Sequence, residues 1–209
     1  MAAFHRYILA LTGPSGVGKS SLSRLLSHSF DVFASVPLQT TRAPKAGDDG
    51  EYRYRTLEEF HALRDAGRIV AATRIPSVTE ERWYGYDADD IEAIWRARKL
   101  PVVITEMHLL QQLAERYGRR SVLSFGLLPP GRSKRAMLSH LLHRMRGRGR
   151  ETPEQIEERL KNAEDDLRFF DARADLFNAL IVNDDLAVAL DQICAHVPPI
   201  GRGGVRRTS

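Results

Sequence analysis

One run of eight residues, Gly13-Pro14-Ser15-Gly16-Val17-Gly18-Lys19-Ser20, most constrains how this chain can fold. It satisfies G-x-x-x-x-G-K-[ST] and stands between an apolar run, Tyr7-Ile8-Leu9-Ala10-Leu11, and a helical pattern that opens at Ser20-Ser21-Leu22. Strand, glycine-rich turn and helix start together make the spelling a phosphate-binding loop. Gly13, Gly16 and Gly18 admit backbone conformations that side-chained residues resist. Successive N–H groups, including those at Ser15 and Val17, can therefore curl round a phosphate at the positive end of the helix dipole. Lys19 is placed to reach the β- and γ-phosphates, Ser20 offers its hydroxyl to a metal ion, and Ser21 follows in the first helical turn. The loop by itself implies a nucleotide's phosphates together with Mg²⁺.

A chain of 209 residues with 43% hydrophobic content can bury one sizeable core with small appended lobes. The single cysteine, Cys194, cannot form an internal disulfide and lies in the apolar run 187–197, which predicts core packing and a reducing, cytoplasmic setting. The first apolar stretch is too short for a membrane span and is already needed as the strand feeding the loop, so neither an export signal nor a membrane partner is expected. The net charge of +4 is unevenly spread: residues 131–150 carry Arg132, Lys134, Arg135, Arg144, Arg146, Arg148 and Arg150 without an acid, and 151–166 is acid-rich. No aromatics interleave with the basic block to offer stacking platforms, which favours nucleotide phosphates over nucleic acid as its partner. Residues 198–209 are basic, poor in apolar side chains and expected to be disordered.

Short β-branched and aromatic runs at 7–11, 32–36, 102–104, 122–127 and 179–182 read as buried strands. Helical patterns fall at 57–66, 88–98, 109–117, 133–146, 153–169 and 186–197. This alternation predicts a three-layer α/β fold, a parallel sheet with helices on both faces and ligand at the carboxyl ends of the strands. No internal repeat is found.

Two segments interrupt the alternation. The first holds Thr40-Thr41-Arg42-Ala43-Pro44-Lys45-Ala46-Gly47-Asp48 and later Trp83-Tyr84-Gly85-Tyr86; the second is Arg144-Met145-Arg146-Gly147-Arg148-Gly149-Arg150-Glu151, with Arg159 beyond it. With the phosphate loop and the strand end Asn183-Asp184-Asp185, these resemble, in order and spacing, the guanylate kinase family. The resemblance runs from about residue 7 to 197. It implies a P-loop kinase core at 1–36, 91–130 and 159–197, an acceptor-binding lobe at 37–90 and an arginine-rich lid at 131–158. It also implies transfer of the γ-phosphoryl of ATP to a nucleoside monophosphate, which depends on alignment and charge neutralisation more than on covalent help. By matched positions, Arg42, Lys45, Tyr54 (or Tyr52) and Tyr84 hold the acceptor phosphate. Lys19, Arg144, Arg148 and Arg159 meet the transferring group, Asn183 lies near the adenine, and Glu106 is the surviving carboxylate of a D-x-D pair on the metal-side strand. Lys45 stands where the family has a second arginine, exchanging a two-pronged fork for a point charge.

The departures concern the base. Where similar proteins read guanine with a serine, a glutamate and the hydroxyl of a Y-G-[ST] motif, this chain has Leu38, Ala71 and Tyr86. Glu80 or Glu81 in the long stretch 73–83 is the alternative reader. A GMP-like acceptor with atypical base contacts is therefore expected. A ribose 1,5-bisphosphate phosphokinase-like or modified-nucleotide kinase, and a non-catalytic guanylate-kinase-like binding module, are the rival readings. The intact Lys19, Ser20 and lid arginines speak against the last. A homodimer remains open.

Overall fold

The computed structural model describes residues 5–44, 48, 50–75, 81–149 and 152–198. Strand β1 (Ile8–Thr12) is buried along its whole length. Its side chains alternate between two apolar clusters, Leu9 and Leu11 in one, Ile8 and Ala10 in the other. A strand apolar on both faces needs cover on both, which is why its sequence reads as a continuous hydrophobic run. The phosphate loop leads from it into α1 (Lys19–Ser29) and on to β2 (Phe33–Ser35).

The chain then leaves the core to form β3 (Leu38–Thr40), β4 (Tyr52–Tyr54), α2 (Leu57–Asp65), β5 (Ile69–Ile75) and β6 (Arg82–Asp87). Helix α3 (Ala88–Arg96) returns it to β7 (Leu100–Thr105), followed by α4 (Met107–Tyr117) and β8 (Val122–Leu128). Helices α5 (Lys134–Arg148) and α6 (Pro153–Ala172), strand β9 (Ala179–Val182) and α7 (Leu186–His196) complete it. The core sheet has the order β2-β7-β1-β8-β9 with all neighbours parallel, as the α/β reading predicts. Thr12 is level with Thr105 and Gly126, so β1, β7 and β8 deliver their following loops to one edge.

Residues 37–90, expected as an acceptor-binding lobe in which the sequence pattern marks only one helix, contain a second sheet of order β4-β3-β6-β5. Its β3 and β4 are three residues each, too short to show a period-two pattern. The helix starts are better marked. Thr56 with Glu59 and Thr152 with Gln155 form reciprocal capping boxes, and Pro153 opens α6.

Tyr86 and Gln112 tie the second sheet to the core. The Tyr86 hydroxyl donates to the Ile104 carbonyl at 2.7 Å and accepts from the Ile104 N–H at 2.8 Å. Gln112 of α4 donates to the Ala72 carbonyl at 2.8 Å and accepts from the Ala72 N–H at 3.0 Å. Cys194 is partly buried and packs against the first cluster, as expected. Among the described residues no helix is long and apolar enough to cross a membrane. Of the tail expected to be disordered, residues 199–209 lie outside the described residues.

Candidate active site

The phosphate loop is built by torsions that favour glycine. Gly18 has φ +106°, and a Cβ there would stand 2.5 Å from Nδ2 of Asn183, so both conformation and space exclude a side chain. Gly16 is also left-handed, at φ +86°, and rests against Met145 of α5. At Gly13 the obstacle is a neighbour, since a Cβ would come within 2.6 Å of the Leu127 carbonyl. Val17 is fully buried, and its carbonyl accepts from Asn183 Nδ2 at 2.8 Å and Arg144 Nη1 at 3.3 Å.

The charged groups of the loop have partners within the protein. Lys19 Nζ donates to the carbonyls of Gly13 and of Pro14, the latter at 3.1 Å. Ser20 Oγ donates to Glu51 Oε2 at 3.0 Å, and Ser21 follows it in the first turn of α1. Arg159 of α6 donates to Ser15 Oγ at 3.1 Å, and Arg144 of α5 also donates to the Asn183 carbonyl at 3.1 Å. Lys19, Arg144 and Arg159, far apart in sequence, thus meet on one loop. Arg148 ends α5, but its side chain lies outside the described residues, as does all of Lys45.

Asn183 and Glu106 are both held by contacts within the protein. Asn183, expected beside the adenine, is 2% exposed beneath the loop. The register of β9 brings its N–H to the Leu128 carbonyl at 2.8 Å, and its Oδ1 is buried without a partner among the described residues. Glu106 caps α4, accepting from the N–H groups of His108 and Leu109 at 2.9 and 2.8 Å.

On the second sheet, Arg42 is 8% exposed and grips Asp48 with both prongs, Nη1 to Oδ2 at 2.9 Å and Nη2 to Oδ1 at 2.7 Å. Its guanidinium lies 4.2 Å from the Tyr52 ring centroid and 5.8 Å from that of Tyr54, and the Tyr54 hydroxyl donates to Asp48. Both tyrosines left open by the sequence therefore belong to the cluster, with Tyr52 stacked more closely. Burial opposes the Arg42 charge, yet its hydrogen bonds to Asp48 and Tyr52 outweigh that and hold its pKa above the ordinary value. Burial raises the phenol pKa of Tyr52, Tyr54 and Tyr84, keeping all three as proton donors at neutral pH.

Leu38, Ala71 and Tyr86 belong to one apolar cluster. Ala71 lies opposite Tyr86 in the register of β5 and β6, and both are 1% exposed. Glu81 accepts from Trp83 Nε1 at 2.9 Å and lies 3.8 Å from Arg74, which holds it on the β5–β6 hairpin. Glu80 lies outside the described residues.

Sequence reasoning did not single out Asp48, Glu51 or Asp166. Asp48 sits inside the quoted motif, and its spacing from Arg42 was the available signal. Asp166 lies on α6, two turns beyond Arg159. Burial pushes its carboxyl up to about 6 against the pull of Lys19, with Glu106 and Asp165 adding to the rise.

The guanylate kinase family model matches residues 5–198. A guanylate kinase of Nitratidesulfovibrio vulgaris is 35% identical over 90% of this chain and 84% of its own length. One from a Synechococcus species is 32% identical over 91% of this chain and 94% of its own. The crystal structure of guanylate kinase from Anaplasma phagocytophilum superposes with a TM-score of 0.64 at 21% identity, covering 90% of this chain and 81% of that one. At that identity the superposition speaks for the fold.

Proposed function

The chain belongs to the guanylate kinase family, and from that premise we propose that it moves the γ-phosphoryl group of ATP onto a nucleoside monophosphate that it holds by the phosphate, with little reading of a guanine edge. The observation that carries this is the contrast between two neighbouring sets of residues. Arg42, Tyr52, Tyr54 and Tyr84 keep a cation and phenolic donors around one position, whereas Leu38, Ala71 and Tyr86 make the base-facing positions apolar. The Tyr86 hydroxyl is already engaged in both directions with Ile104.

In this reading 37–90 is the acceptor lobe and 131–158 the lid. The loop N–H groups and Lys19 bind the phosphates of ATP. Arg144 and Arg159, with Arg148, neutralise charge spread over the transferred oxygens, and Arg42 with the tyrosines aligns the attacking acceptor oxygen. Lys45 joins Arg42 on the acceptor phosphate. The hydroxyl of Ser20 beside the Glu51 carboxylate is an all-oxygen donor set of the kind that suits Mg²⁺. When bound, the ion neutralises phosphate charge, and Ser20 would hold it. Glu106 follows the last residue of β7 and caps α4. The intact loop argues for catalysis over a binding-only module, and a cytoplasmic setting accompanies the reading.

The relatives' names make GMP the first acceptor to assay, alongside AMP, UMP, IMP and ribose 1,5-bisphosphate, each with ATP and Mg²⁺. GMP is expected to be phosphorylated with kcat/KM on the order of 10²-fold below the best acceptor, because about three hydrogen bonds of 0.5–1.5 kcal/mol each are missing. Turnover of GMP at about 10⁶ M⁻¹s⁻¹ with rejection of the others would overturn the base reading and leave the kinase reading standing.

A further inference from the structure

Resting on the kinase reading, we propose that Glu51 is the carboxylate that positions the Ser20 hydroxyl for the metal ion, and that it does so from the acceptor lobe. A P-loop serine is oriented by a partner that accepts the hydrogen bond from its hydroxyl, so that an oxygen lone pair can face the cation. In P-loop proteins the strand beside the loop carries a carboxylate at this level. Here that strand is β7, and its last residue is neutral: Thr105 Oγ1 lies 2.6 Å from Thr12 Oγ1 in a buried hydroxyl pair. The next residue, Glu106, has each of its carboxylate oxygens engaged by a backbone N–H at the start of α4.

Glu51 fills the gap. Its Oε2 accepts from Ser20 Oγ at 3.0 Å, and its Oε1 lies 3.8 Å from Arg24 Nε one turn further along α1. The Glu51 side chain is 20% exposed, so the contact is sheltered but open to exchange with solvent. Its backbone is fixed to the lobe: the Glu51 carbonyl accepts from the Leu38 N–H at 2.9 Å, and its N–H donates to the Asp48 carbonyl at 2.9 Å. The next residue is Tyr52, whose ring lies under Arg42. One peptide unit therefore separates the group that orients the metal-facing hydroxyl from the group that supports the acceptor-binding arginine.

A carboxylate acting through a ligand sharpens the ligand's orientation and basicity, and its loss typically costs about 10–100-fold in metal affinity. Because this one belongs to the acceptor lobe, metal organisation at Ser20 depends on where the lobe sits. Binding linkage is reciprocal, so the metal ion in turn favours the lobe position in which Glu51 meets Ser20.

The test is calorimetric titration of ADP into the intact protein with Mg²⁺ and with EDTA, for wild type, Glu51→Gln, Ser20→Ala and the double variant, with Mn²⁺ binding followed by electron paramagnetic resonance. Glu51→Gln should reduce the Mg²⁺ enhancement of ADP affinity about tenfold or more while changing metal-free ADP affinity less than about twofold. The double variant should be no worse than Ser20→Ala alone, the signature of two groups acting as one unit. Should Glu51→Gln fail to fold, Glu51→Ala in the same cycle carries the comparison. An undiminished Mg²⁺ enhancement, or independent additive losses, overturns the proposal. Wild-type protein that binds ADP no better with Mg²⁺ than without it overturns the kinase reading as well.

Discussion

Arg42 and Asp48 form a two-bond ion pair, 2.9 and 2.7 Å across its two arms, with the Arg42 side chain 8% exposed and the carboxylate partly open to solvent. The fork that faces Asp48 has the geometry that recognises a phosphate. Asp48 therefore fixes the plane of Arg42 before any acceptor arrives, and Tyr52 supports the guanidinium from its flat face.

Arg42→Lys should raise the acceptor KM about tenfold or more with a smaller change in kcat, because a point charge cannot reproduce the fork and the lost contact is already present in the ground state. Asp48→Ala should cost about 1–3 kcal/mol in a urea melt, since it strands a mostly buried cation, though the solvent exposure of Asp48 softens the penalty. Steady-state kinetics and denaturation on the same preparations check both.

Lys19→Ala should abolish phosphoryl transfer and leave the circular dichroism spectrum unchanged. The Lys19 ammonium rests on the loop carbonyls of Gly13 and Pro14 and not in the apolar core. Losing a preorganised charge contact typically costs about 10²-fold or more, so retention of more than about a tenth of the activity would contradict its role.

Ala71→Glu alone should destabilise the protein and leave GMP use no better. Ala71 faces Tyr86 across β5 and β6 in an apolar cluster, and an unpaired carboxylate there has no room and no partner. Ala71→Glu combined with Tyr86→Ser clears the space, and the pair should recover GMP kcat/KM by about tenfold or more over wild type, at the cost of the Ile104 hydrogen bonds. An acceptor panel and a thermal melt on both variants separate the two effects.

Asp166→Asn should stabilise the protein at pH 7.5 and lose that advantage on acidification. The folded carboxyl is raised to about 6, above its ordinary value, so the native state prefers the protonated form; stability is fully present below about pH 4 and falls as pH rises through about 6. Asparagine mimics the protonated group, and its gain should reach at most about 3 kcal/mol above pH 6 and vanish near pH 4. Chemical denaturation at several pH values measures it. A gain independent of pH would contradict the assignment.

The parts of this protein legible in its sequence are those whose causes are local. The phosphate loop is spelled in consecutive residues because its torsions need Gly16 and Gly18 and its chemistry needs Lys19 and Ser20 side by side. Strand β1 reads as an uninterrupted apolar run because both its faces are covered, whereas the run 179–182, expected to be buried, is the edge strand β9, which leaves Leu180 and Val182 44% and 47% exposed. The second sheet escaped notice because β3 and β4 are too short to carry a pattern and are stabilised by pairing with segments tens of residues away.

Only the tertiary structure decided which side chains meet. The Tyr86 hydroxyl bridges to the Ile104 backbone, and the end of β9 places the Asn183 amide beneath Gly18, where it donates to the Val17 carbonyl. Glu51 and Ser20 are 31 residues apart, and nothing in either neighbourhood announces the other. Local chemistry is written into the order of residues because torsion and spacing act over a few bonds. Pairings between the core and the second sheet depend on how the two dock, a balance of burial and hydrogen bonding summed over the whole chain.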